Sequence, residues 1–196
     1  MWPLTEQVAE AIAAAAPDVV LHGGDIQYRS NPGDTWNGFF QAFGPVMRQA
    51  PFHPCVGNHE SDTDTELAEM YLRLFAPPEA QADGGQDFHA LDLGPVRALM
   101  LNSESGLAND AAQLAWLDAE LGRAANDPAV KQIIVGYHRP TYTFSKHSGA
   151  LSLREALHPR FVAAGVRAVF NGHMHGYERF EVDGVQMKVR LDFGCG

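Results

Sequence analysis

Two histidines stand two residues apart, His173 and His175, in "VFNGHMHGYERF" (169–180), directly after a run that reads as a buried strand. In an extended segment, period-two spacing faces both rings the same way, toward a common ligand such as a metal ion. Three other apolar runs end in the same manner. "VVLHGGD" delivers Asp25, with Tyr28 three residues on; "FHPCVGNHE" (52–60) delivers Asn58, His59 and Glu60; "IIVGYH" delivers His138. Carboxylate, amide carbonyl, phenol and imidazole together suit divalent and trivalent first-row metals. Each residue alone has a plainer reading. A lone histidine at a strand end usually bonds a turn, Asp25 suits a turn cap, and Asn58 after Gly57 suits a left-handed loop. Four strand ends carrying the same kind of donor are harder to attribute to turns.

Donors spread over 150 residues of chain meet only if a sheet gathers them. Leu4, Val8 and Ile12 recur at helical spacing before Pro17, so residues 4–16 read as a helix. Residues 18–25 read as a short buried strand ending in a glycine turn. "TWNGFFQAFGPVMRQ" and "DTELAEMYLRLF" read as helices on either side of the strand and loop at 52–60. Residues 87–104 read as two strands turning at Gly94-Pro95. "DAAQLAWLDAELGRA" places Leu114, Leu117 and Leu121 on one helical face, with Trp116 as packing beside them. "KQIIVGYH" and "VRAVFNGHMH" read as buried strands separated by the helical "GALSLREALHPRFVAAG", and a last hairpin turns at Asp183-Gly184. Strands alternating with helices predict a layered α/β sheet. Ligands of such sheets bind outside the carboxyl ends of the strands, where these donors fall.

Composition narrows the class. The 196 residues are 45% hydrophobic and 19% charged, which is globular and most simply one domain spanning 1–196. A formal charge of −10 opposes a nucleic-acid-coating surface, which needs clustered Lys and Arg. It does not oppose action on phosphate esters, because bound cations invert the local field. Cys55 and Cys195 supply neither a disulfide framework nor a CxxC metal signature. No apolar run approaches the ~20 residues of a membrane span, and the amphipathic N-terminal stretch lacks the basic region of a signal peptide.

In order, Gly24-Asp25-Ile26-Gln27-Tyr28, Gly57-Asn58-His59-Glu60, Val135-Gly136-Tyr137-His138 and Gly172-His173-Met174-His175 resemble the motif set of the calcineurin-like metallophosphoesterases. Tyr28 points to the purple acid phosphatase branch, and Tyr177-Glu178-Arg179 extends the match. The resemblance implies an α/β fold, a layered αββα sandwich, and a bimetal centre of Fe(III) and a divalent iron, zinc or manganese ion. It implies that Asp25 bridges both ions, that Tyr28 and His175 bind the ferric ion, and that Asn58, His138 and His173 bind the divalent one. His59 corresponds to the histidine that contacts the phosphoryl oxygens, and His147, in "FSKHSG", to the histidine that faces the leaving group. The physics agrees. A phenol with a pKa of about 10 ionises near neutrality only beside a strong Lewis acid. Two cations clamp the attacking and leaving oxygens of an in-line displacement.

The resemblance has one gap. The family opens with a D-x-G strand one βα unit upstream, whereas this chain starts in the following helix and also ends early, at "LDFGCG". The expectation is therefore a fold lacking its first strand, read as truncation rather than loss. Any signal peptide would lie in the lacking part, and the resemblance alone implies export to the periplasm or outside the cell. The implied activity is hydrolysis of phosphate monoesters. A phosphodiesterase using the same centre, and a binding module with an impaired site, are the alternatives.

Overall fold

Proline opens the first two helices, where its missing N–H is no loss to the first turn. Helix α1 runs Pro3–Ala14 and α2 Pro32–Met47. The computed structural model describes residues 3–26, 32–61, 65–75, 87–144 and 150–189. Between the two helices lies β1 (Val20–His22), which pairs in parallel with β2 (Phe52–Pro54), Val20 opposite Phe52. A four-residue helix, α3 (Asn58–Ser61), follows β2, and α4 (Thr65–Phe75) follows that. The small sheet is covered by aromatic packing. Phe39 and Phe43 of α2 stack at 5.0 Å, and Trp36 meets Phe75 of α4 at 5.8 Å. Val20, Val46 and Tyr71 are buried in the same cluster.

The second sheet has six strands in the order β3 (His89–Leu93), β4 (Val96–Met100), β5 (Gln132–Gly136), β6 (Ala168–Asn171), β8 (Val185–Val189) and β7 (Glu178–Val182). Strands β4, β5, β6 and β8 are parallel, while the hairpins β3–β4 and β7–β8 make both edges antiparallel. Helices α5 (Ala111–Asn126) and α6 (Leu151–Ala164) cover it. Leu117 and Leu121 of α5 and Leu157 and Phe161 of α6 are buried against Leu99, Val135 and Val169 of the strands. Trp116 packs on Phe88 at 4.9 Å, the packing role expected of it. Asp110 starts α5 by accepting from the N–H groups of Ala112 and Gln113. The β7–β8 hairpin turns at Asp183 (φ 50°) and Gly184 (φ 82°), the double left-handed turn that the Asp-Gly pair predicts.

His53 of β2 and His89 of β3 approach with ring centroids 5.7 Å apart, so the two sheets meet at this pair. With one helical cluster outside each sheet, the layers form an α/β sandwich. Among the described residues β1 pairs only with β2. Two local expectations give way. Asn58 is the first residue of α3, not a left-handed loop residue. The His173–His175 segment is not extended: β6 stops at Asn171, and His173 takes φ 65°.

Candidate metal centre

The parallel strands β4, β5 and β6 end at one edge of the large sheet, and the loop after β1 crosses that edge. Gly23 of this loop accepts from His138 Nδ1, just past β5, at 2.6 Å. Its neighbour across the crevice is Gly172, after β6, where an added Cβ would stand 2.6 Å from the Gly23 oxygen and 2.9 Å from His138 Nδ1. At Gly57 an added Cβ would collide with the Asp25 carboxylate and backbone nitrogen. Both glycines are therefore steric requirements of the site. They let backbone close around one imidazole and one carboxylate.

Four side chains then converge. His138 Nε2 lies 3.1 Å from Asp25 Oδ2, 3.1 Å from Asn58 Oδ1 and 3.2 Å from His173 Nδ1. His173 Nδ1 lies 2.8 Å from Asn58 Oδ1. The ligand atoms of Asp25, His138 and His173 all lie within 4.8 Å of one another. Asp25 Oδ1 accepts the His59 backbone N–H at 3.0 Å. The His138 side chain is fully buried and Asp25 nearly so.

The donor set fits a cation on bonding grounds. Gly23 O can only accept, so His138 Nδ1 carries a proton, and in the neutral ring Nε2 is a lone pair. That lone pair faces a carboxylate oxygen, an amide oxygen and a second imidazole nitrogen. One proton satisfies only one such contact, whereas a cation at the focus satisfies all of them. The electrostatics point the same way. Burial alone would raise the Asp25 carboxyl, but the bond and charge of His138 and the His59 N–H outweigh it and hold the pKa below the ordinary value. Burial alone would lower His138, but the Asp25 bond and charge and the Gly23 carbonyl raise it. Positive charge at this spot is favoured, whether a proton or a metal ion supplies it.

Glu60 builds the floor of the site. It is 1% exposed and accepts three backbone N–H groups: Asp25 at 2.8 Å, Ile26 at 2.7 Å and Gly57 at 2.8 Å. One carboxylate thus pins the loop after β1 to the loop after β2. The motif placed Glu60 in the crevice, but its anchoring of Asp25 depends on contacts 34 and 35 residues apart. The carboxyl end of β4 was also missed. Ser103 Oγ accepts the Arg139 backbone N–H at 3.0 Å, and Glu104 pairs with the Arg139 guanidinium at 2.7–3.0 Å. "LNSES" carries no histidine or aspartate, and the partners of Ser103 and Glu104 lie 36 and 35 residues on, so nothing local singles it out.

The structure brings together Asp25, Asn58, His138 and His173, with His59 half-buried beside them. His175 is exposed and lies outside that group. The cause is the left-handed turn at His173, which ends the alternation on which a shared facing depends. Tyr28 and His147 lie outside the described residues.

Residues 2–177 match the family model described as "Calcineurin-like phosphoesterase", and the chain belongs to that family. It is 29% identical over 171 residues to "Purple acid phosphatase 22" of Arabidopsis thaliana, covering 84% of this chain and 39% of the relative. It is 27% identical over 202 residues to "Probable inactive purple acid phosphatase 9" of the same plant, covering 87% and 31%. Among solved structures, purple acid phosphatase PPD1 from yellow lupin (Lupinus luteus) seeds matches with a TM-score of 0.74 at 19% identity, covering 94% of this chain and 38% of that one. These likenesses support the purple acid phosphatase-like branch. The chain spans 31–39% of the length of these two plant relatives. Family membership implies a dinuclear metal centre, and the acceptor cluster fits one cation of it. No helix among the described residues is long and apolar enough to cross a membrane.

Proposed function

We propose that residues 1–196 form the catalytic domain of a purple acid phosphatase-like hydrolase that cleaves phosphate monoesters, in an exported protein. The convergence of Asp25, Asn58, His138 and His173 on one acceptor-lined focus carries this reading. Asn58, His138 and His173 would hold a divalent iron, zinc or manganese ion, Tyr28 and His175 an iron(III), and Asp25 both. The ions would polarise the phosphoryl oxygen and lower the pKa of a coordinated water. The remaining work falls to the chain. Gly23 O fixes the His138 ring so that Nε2 presents its lone pair inward. Glu60 fixes the Asp25 backbone, and the His59 N–H orients the Asp25 carboxylate. The His59 ring contacts a non-bridging phosphoryl oxygen, and His147 gives its proton to the leaving-group oxygen as the ester P–O bond breaks.

Two observations favour a second reading, an impaired binding module: the relative whose name includes "inactive", and the exposure of His175. A diesterase would use the same residues. Assay of the metal-loaded protein on an aryl phosphate and a bis-aryl phosphate separates all three. Faster monoester turnover, with visible absorption from a Tyr28 phenolate on iron(III), is the expected result. Faster diester turnover would replace the substrate class, and metal binding without turnover on either would leave the binding module.

A further inference from the structure

Arginine beside a cation-binding cluster is electrostatically costly unless anions offset it; Glu104 is one such anion, and it engages Nε and Nη2 but not Nη1 of Arg139. Arg139 follows His138 directly, and its backbone is fixed by Ser103 Oγ. Its Nε lies 3.0 and 2.8 Å from the two Glu104 oxygens, and its Nη2 lies 2.7 Å from Oε2. The Glu104 side chain is 3% exposed, so the anchoring end is buried, while the Arg139 side chain keeps 38% exposure. Nη1 is the corner left facing the cluster, 3.5 Å from His173 Nε2. That contact is the longest in the set. It is also unusual for a metal-ligating ring, whose outer nitrogen ordinarily donates to a carboxylate or carbonyl. A guanidinium presents only donors.

Like charges placed this close repel, but an oxyanion touching both turns the repulsion into attraction. The chain carries a formal charge of −10 and Glu104 offsets the Arg139 charge, so what Nη1 adds at this edge is a directed donor rather than net charge. We infer that Arg139 is a phosphoryl-binding residue of this site, donating from Nη1 to a non-bridging oxygen of a phosphate ester dianion. Glu104 is its positioning residue, holding the fork from the buried side. This rests on the phosphatase reading and adds the charge state selected: the second negative charge of a monoester is what Arg139 recognises.

The test is calorimetric titration of inorganic phosphate into the metal-loaded protein, with metal content measured on the same samples. Arg139→Ala is expected to weaken phosphate binding about tenfold to a hundredfold, the usual weight of a hydrogen bond to a charged group, at unchanged metal content. Glu104→Gln should give a smaller loss. KM for an aryl monoester should rise more than KM for the matching diester, whereas a role confined to holding the fold would move both together. Should Arg139→Ala not fold, Arg139→Gln can still donate to Glu104 and is read by the same criteria. Unchanged phosphate affinity and an unchanged KM ratio at full metal content overturn this inference alone. Absence of phosphate binding by the parent protein overturns the phosphatase reading with it.

Discussion

The two sheets reach the crevice by different means. From β1 and β2 come Asp25, on the loop after β1, and Asn58, at the start of α3, gathered by a single buried carboxylate, Glu60, which takes three N–H groups. From the large sheet come His138 and His173, at the ends of neighbouring parallel strands backed by Leu117, Leu157 and Phe161. The first half concentrates its organisation in one polar residue. The second spreads it over many apolar contacts. The separation therefore runs one way: apolar contacts of the large sheet can weaken without moving the ligands, whereas Glu60 serves both the site and the stability of the fold.

Substitution can break that separation. Glu60→Ala leaves three backbone N–H groups without their acceptor, at a cost of about 3–5 kcal/mol in unfolding free energy. It should also weaken divalent metal binding by more than about tenfold, because Asp25 loses its anchor. Leu117→Ala should cost about 2–5 kcal/mol through its cavity, yet leave metal affinity within about twofold. Denaturant midpoints and metal titrations on the two proteins check both expectations. A Leu117→Ala protein that loses metal as badly as Glu60→Ala would show the halves to be one unit.

A smaller effect tests the pair at which the sheets meet. Burial, and then the charge of His53, push His89 down to about 4, and burial also lowers His53. The folded-state pKa lies below the unfolded value, so the unfolded chain binds more protons as pH falls. The stabilisation is present above about pH 6.5 and is lost as pH drops toward 4. The expected loss from His89 is on the order of 1–3 kcal/mol between pH 7 and pH 4. His89→Leu should flatten that slope, as read from urea midpoints. A slope as steep as the parent's would assign the acid sensitivity elsewhere.

The same contrast explains what could be read in advance. Strand ends announce themselves locally, as apolar runs closed by glycine and a donor, and so Asp25, Asn58, His138 and His173 were legible. So were the leucine face of α5 and the Asp183-Gly184 turn, because both follow from neighbours within a few residues. Glu60 as an anchor and the Ser103–Glu104–Arg139 set were not, since their partners lie 34 to 36 residues away and only the folded layers bring them together. Period-two facing of His173 and His175 failed for a local reason. It assumed extended backbone, and the chain turns left-handed at His173.

The central claim is that the four converging acceptors hold a metal ion, and titration of metal-stripped protein with a divalent first-row ion tests it most directly. Manganese or zinc should bind the parent protein with release of protons, and His138→Ala should bind at least about a hundredfold more weakly. His158→Ala, which alters a histidine paired with Asp183 and outside the cluster, should bind as the parent does. Equal affinity in the parent, His138→Ala and His158→Ala would contradict the account.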